Sequence, residues 1–335
     1  MKHVLIDKGL NFYKANLHCH TTLSDGRLTR EEVKDTYKER GYSIVAFTDH
    51  EHLIDNSCLN DESFLAITSA ELAIKEYPKQ STLVNRKMKV CHLNVLSPDP
   101  HYDITPCYSS VYDHYINDEN RNLIKFEKEF KRAHTTKGIN KIIRKANEKG
   151  FLVSFNHPSW SLENATDYVG LEGLWAVEIY NHGVVTAGGM ADEHAFDDLL
   201  RAGKKVYCVC ADDNHNADPL DSVRSDSFGG FTVVNCDKLD YESVFASLKN
   251  GYFYASTGPE IKELVYEDGK VKFECSEVKK VRLVTEGRRT SAIINNGITS
   301  GEFEIKENDG YFRLCFEDKD GKCAYTQAYE LCDFE

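Results

Sequence analysis

The segment NLHCHTTLSDG, residues 16–26, sets His18 and His20 one residue apart and follows them with Asp25. On an extended strand, residues two apart share a face, so both imidazoles can grip one ion while Cys19 faces the other way. Asp25 stands between Ser24 and Gly26 in a loop, where a short carboxylate can turn back over the strand end. One H-x-H is a weak signal by itself, and its meaning rests on partners elsewhere in the chain.

Candidate partners recur along the chain. The runs FYKANLHCH, SIVAFTDH, FLAITSAEL, KVCHLNVLS, FLVSFNHP, WAVEIYN and VYCVCADDNH read as buried strands. Helix patterns lie between several of them. In TREEVKDTYKERG, Thr29 is the N-cap, Glu32 holds the capping-box position and Gly41 is the stop. GINKIIRKANEKG and ADEHAFDDLLRAG also end on glycine. Seven strands with crossover helices predict a parallel sheet, either open or closed. Nearly every strand finishes in His, Asp or Glu: His18 and His20, His50, Glu71, His92, His157, then Asp213 with His215. Barrels of parallel strands gather their sites at the C-terminal strand ends, so this convergence favours the closed form. The other histidines (His3, His52, His101, His114, His134, His182 and His194) are expected on helix surfaces and turns.

Neutral imidazole and carboxylate are the usual ligands of Zn, Mn and Fe in hydrolytic sites. Burying so many ionisable groups without a cation would be costly.

The stretch from 97 to 137 is polar, rich in Tyr and charge, and long for a connection. It reads as a lid or a disordered excursion. After the amphipathic helix DYESVFASLKNG the pattern changes. From about Ile261, short alternating runs separated by DG, NG and NDG predict a small antiparallel β-sandwich, with Tyr311, Tyr325 and Tyr329 as strand packing.

A net charge of -13 argues against extended nucleic-acid binding. The N-terminus MKHVLIDKGLNFYK lacks the apolar core of a signal peptide, and no run is long enough to span a membrane. Eleven cysteines without a CxxC read as free, mostly buried thiols of a cytoplasmic protein, with Cys208 and Cys210 on one face of a buried strand.

Taken in order, HCH, SDG, FTDH, the Glu of SAEL, the His of VCHLN, NHP and DNH resemble the motif series of the PHP (polymerase and histidinol phosphatase) superfamily, over roughly residues 11–260. The resemblance implies an α/β fold, a distorted (β/α)7 TIM-like barrel with two or three divalent ions (Zn, Mn or Fe) at its mouth. By motif, His18, His20, Glu71 and Asp213 would hold one ion. Glu71 would bridge to a second, completed by His92 and His157, and Asp25, His50 and His215 would hold a third. FYASTGP and DGKCAYTQAYEL resemble the branch that includes carbaryl hydrolase, whose members carry a C-terminal β-domain. The expected division is therefore a barrel over 1–260, with 97–137 as an insertion, and a small β-sandwich over 261–335. The last motif departs from the family, with Ala211-Asp212 where Gly and a small residue are usual. Asp213 is preferred to Asp212 because it would share a strand face with His215.

The expected function is a metal-dependent phosphoesterase acting on a small phosphorylated metabolite or nucleotide, with a metal-bridging hydroxide as nucleophile. Coordination lowers the pKa of water to about 7. Asp213, His215 or His157 would manage the proton. Asp25, Glu71 and Asp213 against three divalent ions leave a cationic pocket suited to an anionic substrate. Arg224 could clamp a phosphate, Asn181 and His182 could line the mouth, and Asn156 could orient a ligand. Two alternatives stand: hydrolysis of a carboxylic ester, amide or carbamate, and a metal-binding regulatory module without turnover.

Overall fold

The computed structural model describes residues 2–77, 87–116 and 119–334. The expected apolar runs form Asn11–Asn16, Ile44–Phe47, Leu65–Lys75, Val90–Leu96, Leu152–Phe155, Ala176–Asn181 and Tyr207–Ala211, hydrogen-bonded in that order within one large sheet of a mixed α/β fold. Most of these pairs are parallel, but Val90–Leu96 runs antiparallel to both of its neighbours. An all-parallel sheet is therefore not what forms. Lys75 pairs with Val90, and Glu76 N donates to Lys89 O at 3.0 Å, so the ladder continues one step past the strand ends. The reversal has a consequence for the site. His92 stands near the start of its strand, not its end, yet lies opposite Ala73 near the C-terminal end of Leu65–Lys75.

Beyond Asn16 and Ala211 the chain continues to pair across the gap. Asp213 N donates to His18 O (2.9 Å) and His20 N donates to Asn214 O (3.1 Å), which joins the first of the seven strands to the last.

The capping signals held. Arg30–Glu39 is capped by Thr29 with a reciprocal Glu32, and Gly41 takes the left-handed φ of +77° that ends the helix. Thr136–Asn147 and Glu193–Arg201 bury Ile139, Ile142, Ile143, Phe196, Leu199 and Leu200 against Val153, Val177 and Cys208 of the strands. Among the described residues no helix is long and apolar enough to cross a membrane.

C-terminal to Ile261 the strands are antiparallel, but they do not form a sheet of their own. Cys323–Tyr325 pairs with Phe253–Ser256, which pairs with Phe231–Cys236, which pairs with Asn11–Asn16. Lys2–Ile6, from the far end of the chain, pairs with Ile261–Glu267. KVKFECS and KKVRLVTEG are halves of one strand, Lys270–Thr285. The expected Asn296-Gly297 turn lies inside Thr290–Glu304, where Gly297 has φ +72° and the opposite register shifts between Val278 and Lys280. A bulge absorbs these residues in place of a turn. Asp268-Gly269, with both φ positive, does make the tight hairpin its sequence predicts.

The described part of segment 97–137 is tied down. Ile104–Thr105 pairs with Lys125–Phe126, and Arg132 reaches Glu51 with both terminal nitrogens at 2.7 and 2.6 Å.

Candidate metal centre

Glu71 sits within an eleven-residue strand buried along its whole length, and its carboxylate is the point on which the imidazoles converge. Oε1 lies 3.0 Å from His92 Nδ1, 3.3 Å from His18 Nε2 and 3.4 Å from His157 Nε2. Oε2 lies 3.0 Å from His50 Nδ1 and 3.4 Å from His20 Nε2. Asp213 Oδ1 faces His18 Nε2 and His20 Nε2 at 3.1 and 3.0 Å. Asp25 stands on the outer side, 3.6 Å from His20 Nδ1, 3.6 Å from His50 Nε2 and 3.5 Å from His215 Nε2. All nine side chains that the sequence points to as ligands are thus brought to one place. His20 faces both the Asp25 group and the Asp213 group.

Two buried atoms test whether this donor set fits a metal. Asp213 Oδ1 and His50 Nδ1 have no hydrogen-bond partner, although nitrogen or oxygen atoms stand about 3 Å away. Such crowding without hydrogen-bond alignment suits lone pairs aimed at a common centre between them. Burial pushes His92 down to about 4 despite Glu71, and burial with His215 and His50 nearby lowers His20, while the facing carboxylates overcome burial and raise His18, His50, His157 and His215. Burial opposes ionisation of Glu71, but His92, His18 and His50 hold its carboxyl well below the usual range. Neutral imidazoles and ionised carboxylates are the donor set of a divalent transition metal.

The surrounding residues fix these donors in place. Glu178, an acid inside the apolar run WAVEIYN, accepts from His18 Nδ1 at 3.0 Å, which leaves Nε2 to face the cluster. Its second oxygen accepts from His157 N and from Asn181 Nδ2. Sequence reading passed over Glu178, although a buried acid in a strand is itself a signal. Glu178→Gln is expected to lower metal affinity or turnover roughly 10- to 100-fold, read by metal titration of the purified protein. Unchanged affinity and turnover would remove its orienting role. Asn156 Nδ2 donates to Glu71 Oε1 at 2.9 Å, the orienting contact expected of it. Asp49 holds the 21–25 loop by accepting from Thr21 and Ser24. Gly26 is required there, because a Cβ would fall 2.5 Å from His20 O.

Asp213 is the acid at the cluster, but not for the expected reason. The strand ends at Ala211, and Asp213 adopts a left-handed φ of +55°, so it shares no strand face with His215. Asp212 points the other way. It accepts from the backbone of Phe228, Gly229 and Gly230 and from Tyr37 Oη, and burial pushes its carboxyl up to about 6. Cys19 lies in the apolar core with Val33 and Tyr37, away from the donors.

A cavity of about 730 Å³ opens over the cluster. Lys75, His114, Tyr115, Trp160, Thr186 and Arg224 line it beside the donors. The Tyr115 ring lies 4.4 Å from that of His50, and the Trp160 ring lies 4.9 Å from that of His157. Arg224 stays at the exposed rim, paired with Asp218 at 2.6 Å. Asn181 is not among the residues that line the cavity. It donates to Asp213 Oδ2 at 3.0 Å and caps the helix His182–Thr186. His182 is not part of the cavity wall: its Nδ1 meets Tyr180 Oη at 3.1 Å, and its ring fills the space a side chain at Gly229 would need. Nor are all of the remaining histidines on the surface. His52 is buried, His114 lines the cavity and His134 pairs with Glu163 at 2.9 Å.

Solved structures similar to this chain include PHP-like hydrolases. One is a two-domain protein of Bacteroides vulgatus containing a predicted PHP-like metal-dependent phosphoesterase; it is 14% identical, with 96% of each chain covered and a TM-score of 0.47. Another is an amidohydrolase of Chromobacterium violaceum with bound sulfate and no metal; it is 14% identical over 60% of this chain and 87% of that one, with a TM-score of 0.38. No family model and no curated protein matches the sequence.

Proposed function

We propose that this protein is a metal-dependent hydrolase of phosphate esters, acting on a small anionic substrate. Residues 1–260 are read as a distorted seven-stranded barrel around the site and residues 261–335 as an appended β-unit. The observation that carries the functional reading is the convergence on Glu71, with Asp213 and Asp25 on either side, under a cavity lined by Lys75 and Arg224. His18, His20, Glu71 and Asp213 would hold one divalent ion, Glu71, His92 and His157 a second, and Asp25, His50 and His215 a third. Bound ions would supply an activated water and stabilise the developing charge on the phosphoryl oxygens.

The chain's own groups do the rest. Asp213, whose Oδ1 would be taken up by the ion, takes the proton of the attacking water at Oδ2, where Asn181 Nδ2 donates at 3.0 Å and leaves a lone pair free. His157 and His215 suit that task less well. His157 Nδ1 is engaged by Ser161 at 3.1 Å, and His215 Nδ1 donates to Asp213 O at 3.0 Å. Each ring then has one nitrogen left, and it faces a ligand carboxylate.

Protein loaded with Mn, Zn or Fe is expected to release phosphate from aryl phosphates faster than it cleaves aryl acetates, amides or carbamates. Ready ester or carbamate cleavage without phosphate release would replace the phosphoesterase reading with a carboxyl-ester hydrolase. Stoichiometric metal with no hydrolysis of any of these would replace it with a regulatory metal-binding module.

A further inference from the structure

Among the described residues Lys75 is the one lysine of the cavity wall, and its placement is unusual. The residue is 5% exposed, yet among the described residues no carboxylate lies within ion-pair distance of its ammonium. Its direct contacts are neutral, and Glu51, the acid that acts on it from farther off, is already held by Arg132. Nζ donates to His114 Nε2 at 3.3 Å and lies 4.8 Å from the Tyr115 ring centre and 5.9 Å from that of Tyr112. The same ring of Tyr115 packs on His50. His114 Nδ1 is turned to Val111 O, which leaves Nε2 as the acceptor. The backbone is fixed as well, since Lys75 N donates to Tyr112 Oη at 3.0 Å. A buried ammonium without a counter-charge is unfavourable, and an anion entering the cavity would relieve it.

Position along the strand says which part of a substrate this is. Lys75 follows Glu71 by four residues, so both side chains leave the same face of Leu65–Lys75. At about 3.3 Å per residue the two Cα atoms are about 13 Å apart, and Nζ lies against the Tyr115 ring that packs on His50, which sets the ammonium on the flank of the site. Arg224 is a poorer candidate for this role, being exposed at the rim and already paired with Asp218.

We propose that Lys75 is a specificity-determining residue that binds a second anionic group, a carboxylate or phosphate on the leaving-group side, so that the preferred substrates carry two separated anions. This rests on the phosphoesterase reading for the first anion. The test is chosen so that the two can fail separately. Binding of phenylphosphonate and of 4-carboxyphenylphosphonate to the metal-loaded protein is measured by calorimetry, which needs no turnover. The carboxylated analogue is expected to bind the natural protein on the order of tenfold more tightly. In Lys75→Met, which keeps an unbranched chain over Tyr115, that ratio should fall to near one, and Lys75→Arg should restore part of it. Equal binding of the two analogues by the natural protein, or an unchanged ratio in Lys75→Met, would overturn the proposal. Failure to hydrolyse phenyl phosphate would instead overturn the phosphoesterase reading and leave the binding ratio as measured.

Discussion

Glu71→Gln is expected to lower kcat/KM for an aryl phosphate by at least about a thousandfold, because ions at such a site contribute several kcal/mol of charge stabilisation. The substitution preserves shape and changes charge. Glutamine can still accept from Asn156 Nδ2 through its carbonyl oxygen, but its amide nitrogen cannot ligate a cation at the other position. Since both oxygens of Glu71 face imidazoles, the loss should reach more than one ion. Metal analysis of the purified variant should therefore show lower stoichiometry, and not merely slower turnover. A variant that keeps full metal content and activity would remove Glu71 from the centre of the site. Its fold should persist, because the strand ladder around residue 71 is made by backbone groups.

Arg132→Met should destabilise the protein by about 3–5 kcal/mol, the usual consequence of leaving one partner of a buried ion pair uncompensated. The Arg132 and Glu51 side chains are 1% and 2% exposed. The guanidinium also donates to Cys107 O and Ala73 O, and Glu51 Oε1 accepts from Ala73 N. One arginine thus ties segment 97–137 to the strand that carries Glu71 and to the residue beside His50. Denaturant unfolding would measure the loss, and Glu51→Gln combined with Arg132→Met should recover part of it. A loss below about 1 kcal/mol would show that the pair is not the anchor. Because Tyr115 packs on His50 from the same segment, turnover should fall as well, through KM more than through kcat.

Much of the site was legible because metal chemistry restricts residue types. Histidines and acids in otherwise apolar strands have few inexpensive explanations, and their order along the chain needed no coordinates. Local rules also carried the helix limits: Thr29, Glu32 and Gly41 act within a turn or two of where they stand. Long-range direction was a different matter. Periodicity gives a strand its faces but not its sense, so the antiparallel course of Val90–Leu96 came only from pairing, and with it the arrival of His92 from a strand start.

The sequence by itself determined which donors are available and their order along the chain. Tertiary structure decided which acid of Asp212 and Asp213 faces them, because three backbone amides hold Asp212 away. It also decided that Glu178 orients His18 and that Lys75 enters the cavity wall without an acid partner among the described residues. Those choices depend on contacts between residues tens to hundreds of positions apart, where neither spacing nor alternation carries information.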